Sequence, residues 1–189
     1  MKTKLGLGLL SAALLLSCSS LSATNYSDIR TGKLQGKLIV QWLEPDLFLF
    51  LPDSSNPLTF TRANGEKVQP GRMLTDGGSI PRPMWALRNY SPWGYAPAFI
   101  VHDWLFFIKR CKIKGYESYT LESSADVLAE IIKTMMESGK AERDPATVSV
   151  MHAGVTSVFA RRYWGSDLCV PPPPAFNRVP AMEYTIEFK

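Results

Sequence analysis

Histidine is scarce in this chain, with two in 189 residues, and cysteine is nearly as rare, with three. Neither Cys111 nor Cys169 belongs to a close pair of metal-ligand spacing, which argues against a zinc site. No Gly-x-x-x-x-Gly-Lys-Ser/Thr loop and no Gly-x-Gly-x-x-Gly fingerprint occurs, so the common nucleotide cradles are missing. A Gly-x-Ser-x-Gly elbow is also absent, which leaves Ser79 without the local signature of an esterase nucleophile. There is no internal repeat.

Charge of one sign is likewise thin. The formal net charge is +4, and setting aside Lys2 and Lys4 of the N-terminal segment leaves +2 on the remainder. The densest basic stretches, Lys109-Arg-Cys-Lys-Ile-Lys114 and Arg161-Arg162, fall at predicted helix ends, where cations offset the helix dipole. A polyanion binder carries a basic stripe, so nucleic acid is not an expected partner.

The chain also lacks an apolar run long enough to span a bilayer. Leu5 to Leu16 is too short and follows the basic Met1-Lys-Thr-Lys4, the pattern of an export leader over residues 1–17. Leu15-Leu16-Ser17-Cys18 resembles the lipobox of bacterial lipoproteins, in which Cys18 would be acylated and become the mature N-terminus. Ser19 in place of an acidic residue favours the outer membrane, facing the periplasm. Cleavage after Leu21-Ser22-Ala23 also fits the small-residue rule and would release a soluble periplasmic domain. Either route exports the chain to a compartment where disulfides persist. There Cys111 and Cys169 could bridge or stay apart, since spacing alone does not supply the geometry.

What is present is the composition of one globular domain. With 46% apolar and 20% charged residues, the chain can bury a full-sized core. A polar tether over 18–36 precedes a single domain over 37–168, and a proline-rich tail over 169–189, beginning with Pro171 to Pro174, reads as extended chain on the surface. The expected fold class is α+β: a small N-terminal antiparallel sheet followed by a three-helix bundle packed on it. Lys37 to Leu43 and Asp46 to Leu51 are β-type runs separated by Glu44-Pro45. Leu58 to Arg62 and Glu66 to Gln69 flank Ala63-Asn64-Gly65 as a hairpin. Thr75-Asp-Gly-Gly-Ser-Ile-Pro81 is a strand-to-helix turn, with Ser79 as cap, Pro81 in the first helical turn and Asp76 able to close an Asx turn. Helical patterns cover a short turn at Met84 to Arg88, then Pro97 to Lys109, Ser124 to Ser138 and Pro145 to Trp164. Asp144 caps the last of these and Gly165 stops it.

The chemistry-bearing residues converge on His102-Asp103, set within Ala98-Phe-Ile-Val-His-Asp-Trp-Leu-Phe-Phe-Ile108. Two titratable groups buried among such neighbours cost several kcal/mol, on the order given by transfer data, unless they are paired, bind a metal or serve chemistry. A structural role has Asp103 accept hydrogen bonds from the Asp76 to Ser79 turn and His102 bond a backbone carbonyl, pinning turn to helix. His152 lies on the apolar face of Val148, Met151, Val155 and Phe159 and reads as a core histidine. Trp85, Tyr90, Trp93, Tyr95 and Trp104 are candidates for core or for a ligand groove.

Thr59-Phe-Thr-Arg-Ala-Asn-Gly65, Thr75-Asp-Gly-Gly-Ser-Ile-Pro-Arg82, His102-Asp-Trp-Leu-Phe106 and Ala125-Asp126 together resemble domain-of-unknown-function family 1353. The similarity runs over roughly 38–165. The resemblance implies hairpins followed by helices and an origin in phages, prophages and bacteria, and it brings no established activity. Gly78 stands where alanine is commoner in that family, and Phe106 where tyrosine is usual.

A second similarity concerns mechanism. Calcium-dependent secreted phospholipases carry a glycine-rich calcium loop, then His-Asp on one helix, then an orienting Asp on the next. The order Gly77-Gly78, His102-Asp103, Asp126 is the same. By that resemblance His102 is a general base oriented by Asp126, and Asp103 with the Gly77 and Gly78 carbonyls holds Ca²⁺. Two features oppose it: Asp126 falls opposite the Leu128, Ile131, Ile132, Met135 and Met136 stripe, and Ser123-Ser-Ala-Asp126 fits a capping box. The sequence therefore favours an envelope lipoprotein, prophage-type and non-enzymatic, that binds a protein or cell-wall component or alters the host surface. The alternative is a calcium-assisted hydrolase acting on lipid or cell wall.

Overall fold

The structure is a computed structural model and describes residues 24–43, 47–76, 94–172 and 182–189. The leader with Cys18, the Gly77 to Pro81 turn, the expected turn at Met84 to Arg88, and Trp85, Tyr90 and Trp93 lie outside the described residues.

The sheet is built around one long strand, β1 (Lys33–Trp42), whose alternating burial follows the two-residue period of a strand with one face on the core. Its second half pairs antiparallel with β2 (Phe48–Pro52), Val40 opposite Phe50. Its first residues pair with β3 (Thr59–Thr61), Leu34 opposite Phe60. β3 turns through Ala63-Asn64-Gly65 into the short β4 (Lys67–Val68), the hairpin expected from the sequence. β5 (Met73–Thr75) pairs with β2.

Gly36 makes the partner change along β1 feasible. It adopts φ +96°, a region side-chain-bearing residues avoid, and a Cβ there would collide with the Pro57 carbonyl. The backbones approach this closely because Lys37 N–H donates to Asn56 O at 2.8 Å.

Four helices follow among the described residues: α1 (Ala96–Cys111), α2 (Leu121–Glu137), α3 (Pro145–Val155) and α4 (Val158–Trp164). The fold is α+β with an N-terminal antiparallel sheet, as the patterning indicates, but a three-helix bundle is not what forms. The single helix expected over Pro145 to Trp164 is broken at Thr156-Ser157. Thr156 Oγ1 donates back to His152 O at 2.8 Å, and the Ser157 hydroxyl accepts from Ala160 N–H, so small polar side chains end one helix and start another. α2 also begins earlier than expected. Thr120 and Ser123 form a reciprocal capping box, so the Ser123 to Asp126 box read from the sequence is corrected by three residues. Asp144 caps α3 as expected.

Both chain flanks are more structured than their composition indicates. The tether expected over 18–36 ends early: Ile29 is buried, Lys133 on α2 donates to the carbonyls of Tyr26 and Ile29 at 2.8 Å each, and β1 has begun by Lys33. The tail expected to lie extended from 169 finishes in β6 (Met182–Phe188), antiparallel to β1 with Leu38 opposite Ile186 and Phe188 buried. Tyr184, Thr185, Ile186 and Phe188 supply the β-branched and aromatic character a strand needs, and the upstream prolines masked it. Cys111, at the end of α1, is disulfide-bonded to Cys169.

One continuous core joins the two layers. Leu38, Phe50, Phe60 and Met73 from the sheet meet Val101 and Leu105 of α1 and Leu128 and Ile132 of α2. The hairpin is fastened to α2 by Arg62, whose Nε and Nη2 donate to Glu130 at 2.9 and 2.8 Å while Nη1 donates to Glu66 at 3.0 Å. Among the described residues, no helix is long and apolar enough to cross a membrane.

Candidate functional site

His102 and Asp103 occupy the middle of α1 and face different surroundings, because successive helical residues diverge by about 100°. His102 is 6% exposed and turns into the packed side of α1. Its ring lies 4.8 Å from Phe106, one helical turn on, and Phe106 is in turn covered by Trp164 and Tyr163 of α4, with centroids at 4.8 and 5.9 Å. Arg110 completes this aromatic lid by stacking over Tyr163 at 4.2 Å. Phe106 leaves this stack without a hydroxyl.

Asp103 faces the sheet. Its Oδ2 accepts a hydrogen bond from the Thr75 hydroxyl at the end of β5, and its Oδ1 lies 3.7 Å from His102 Nδ1. Burial pushes the Asp103 carboxyl above its ordinary value and the negative charge of Asp76 adds to this, while His102 and Thr75 pull it back down. A fifth of the side-chain surface is still accessible, so water reaches its edge.

The pair thus joins strand to helix as the sequence indicates. A donor to Asp103 is Thr75, the residue just before the expected Asp76 to Ser79 turn, whose Gly77 to Ser79 portion lies outside the described residues. The expected bond from His102 to a backbone carbonyl is missing: His102 Nε2 is buried with no hydrogen-bond partner among the described residues. Thr75 opens the Thr75 to Arg82 motif. Its hydroxyl on a strand end, facing the helix that carries a buried carboxylate, was the available signal.

Asp126 does not join them. It sits in the first turns of α2, half-exposed, with Oδ1 3.2 Å from Nε2 of His152 on α3. His152 Nδ1 is 3.0 Å from the Thr24 hydroxyl. His152 is therefore a partly buried histidine held between Asp126 and Thr24, rather than one satisfied inside the core. The polar-face position of Asp126 predicted from helical spacing is what separates it from His102.

The calcium site expected from the sequence falls only in part on the described residues. Among them no cluster of three or more His, Cys, Asp or Glu side chains is arranged to hold a metal ion. Gly77 and Gly78 lie outside the described residues. Of the aromatic candidates within the described residues, Tyr95 is buried in the core and Trp104 packs on its edge, against Gly71.

A family model described as "Protein of unknown function (DUF1353)" matches residues 55–155, more than half the chain, taking in the β3–β4 hairpin, β5 and α1 to α3. No curated protein and no solved structure matches.

Proposed function

Starting from a chain that belongs to the family DUF1353, we propose a non-enzymatic module of the bacterial cell envelope, prophage-type in origin, held at the outer membrane by lipid on Cys18. Its role is to bind an envelope protein or cell-wall component, or to alter the host surface. The observation that carries this reading is the Cys111–Cys169 disulfide. Such bonds persist outside the reducing cytoplasm, and the leader-like Met1 to Leu16 and the lipobox-like Leu15 to Cys18 supply the route. Support for a binding rather than catalytic role comes from the site. His102 is roofed by Phe106 and α4, and the carboxylate that would have oriented it is engaged with His152.

The test is fractionation of cells fed labelled palmitate, expressing wild type or Cys18→Ala, with free thiols counted on the purified chain. Acyl label and membrane association in wild type, both lost in Cys18→Ala, together with blocked Cys111 and Cys169, are the expected results. A cytoplasmic chain with free thiols overturns the proposal.

One observation favours a hydrolase as a second reading. The unpartnered His102 Nε2 is the kind of orphaned atom that substrate or water would satisfy. Phospholipid turnover that disappears in His102→Asn would establish it; no turnover by wild type, with or without calcium, removes it.

A further inference from the structure

The outer face of α3 and α4 carries the most exposed apolar side chains among the described residues. Val158 and Phe159 are 81% and 84% exposed, and Val150 is 46% exposed. They are not scattered. On α3 the exposed Ala146, Val150 and Ala153 recur at helical spacing on one side, and Val158 and Phe159 open α4 directly after it. Globular surfaces seldom leave a phenylalanine and its neighbouring valine this bare without a use for them.

Charge on the same segment has one sign. Pro145 to Trp164 contains Arg161 and Arg162 and no aspartate or glutamate. Arg161 is paired with Glu122 at 2.9 Å, whereas the exposed Arg162 makes no ion pair among the described residues. An apolar strip flanked by an uncompensated guanidinium suits an interface that is apolar within and anionic at its rim.

Chain geometry says which such interface is near. Thr24 is fixed on α3: its hydroxyl meets His152 Nδ1 at 3.0 Å and its carbonyl accepts from the Ser149 hydroxyl at 3.2 Å. From Cys18 to Thr24 the backbone spans at most about 20 Å, at about 3.5 Å per residue. A lipid on Cys18 therefore holds α3 within about two helix diameters of the bilayer. We infer that the α3–α4 face lies on the membrane, with Val150, Val158 and Phe159 in the headgroup boundary and Arg162 on anionic lipid phosphates. This rests on the Cys18 anchor proposed above, and it adds an orientation. The domain is clamped to the bilayer by one face rather than swinging on a tether.

Hydrogen exchange of the full processed chain on phosphatidylglycerol-containing vesicles, read by mass spectrometry, tests it. Amides across 146–164 should exchange several-fold more slowly in wild type than in Phe159→Asp, with Arg162→Glu intermediate. Both side chains are exposed, so thermal melting of the variants should match wild type and exclude unfolding as the cause. Equal exchange of wild type and Phe159→Asp on vesicles overturns the inference. The mass of the mature N-terminus reports the anchor separately. If it carries no acyl group the anchor reading fails, and vesicle protection of 146–164 that vanishes in Phe159→Asp then supports the face alone, while its absence overturns both.

Discussion

Asp126 reaches across to His152, 3.2 Å from carboxylate to imidazole, and so ties the start of α2 to α3 while His102 stays apart on α1. The carboxylate is half-exposed, which limits the contact to the modest worth of a surface ion pair. Asp126→Ala should lower stability by about 1 kcal/mol or less in denaturant titrations. Nothing that depends on His102 should change. His102→Leu, by contrast, removes the imidazole that draws the largely buried Asp103 carboxyl down and leaves that carboxylate one partner fewer, so it should cost about 1–3 kcal/mol. A loss well beyond that size would mean the imidazole holds a bond to the region outside the described residues.

Arg62 gives a second expectation of this kind. Its guanidinium is largely buried and grips Glu130 through two nitrogens and Glu66 through the third. Arg62→Ala leaves the Glu130 carboxylate little-exposed and uncompensated, a loss of about 3 kcal/mol by comparison with broken buried pairs. Arg62→Lys should recover only part of it, because an ammonium cannot reproduce the forked contact. Equilibrium unfolding of the two variants gives both numbers.

Gly36→Ala places a methyl group against the Pro57 carbonyl at a backbone angle alanine avoids. Strain of this kind costs on the order of 1–3 kcal/mol. The lost stability should come with faster amide exchange at Lys37, whose N–H bonds Asn56 across the same approach. Gly65→Ala, also at positive φ but in open space, is the milder control.

Acid should loosen the loop after β2. The Asp53 carboxylate accepts from the Ser55 hydroxyl and from the backbone N–H groups of Asn56 and Ser55, and lies 3.3 Å from Lys37. Those hydrogen bonds, the Ser55 hydroxyl foremost, hold it well below its ordinary 3.8. A carboxyl lowered by folding stabilises the fold fully above its unfolded value, and the contribution drains away as pH falls from about 4 toward the folded value. Thermal melts of wild type and Asp53→Asn should differ at pH 6, and the gap should narrow progressively as pH falls below about 4. A constant gap across that range would contradict it.

Local pattern carried much of the architecture. The alternation of β1, the Asn64-Gly65 hairpin, the Asp144 cap and the apolar run of α1 each encode their element within a few residues. What escaped the sequence were features decided by distant partners. β6 is a strand because β1 offers it an edge, and Ile29 is buried because Lys133 collects the carbonyls around it. The site divided in the same way. The link from Asp103 to the strand end spans 28 positions but joins two motifs the sequence displays, with Thr75 at the edge of one of them. The choice of Asp126 between two histidines depends on how α2 and α3 pack, which no spacing along either helix specifies. The α3–α4 break hid in Thr156-Ser157, where two small polar residues bond backward and forward instead of continuing the turn.

The pairing of β1 with β6 sets an order of events for this chain's birth. β1 emerges from the ribosome well before β6, the strand that covers its edge. Until Met182 to Phe188 arrive, Gly36 to Trp42 present an open row of backbone donors and acceptors, the feature that invites pairing with a foreign strand. The ladder closes only over a very long loop, a topology that folds slowly. Closure of this edge therefore belongs after Met182 to Phe188 have been made, and the interval before it is when a chaperone would have most to protect.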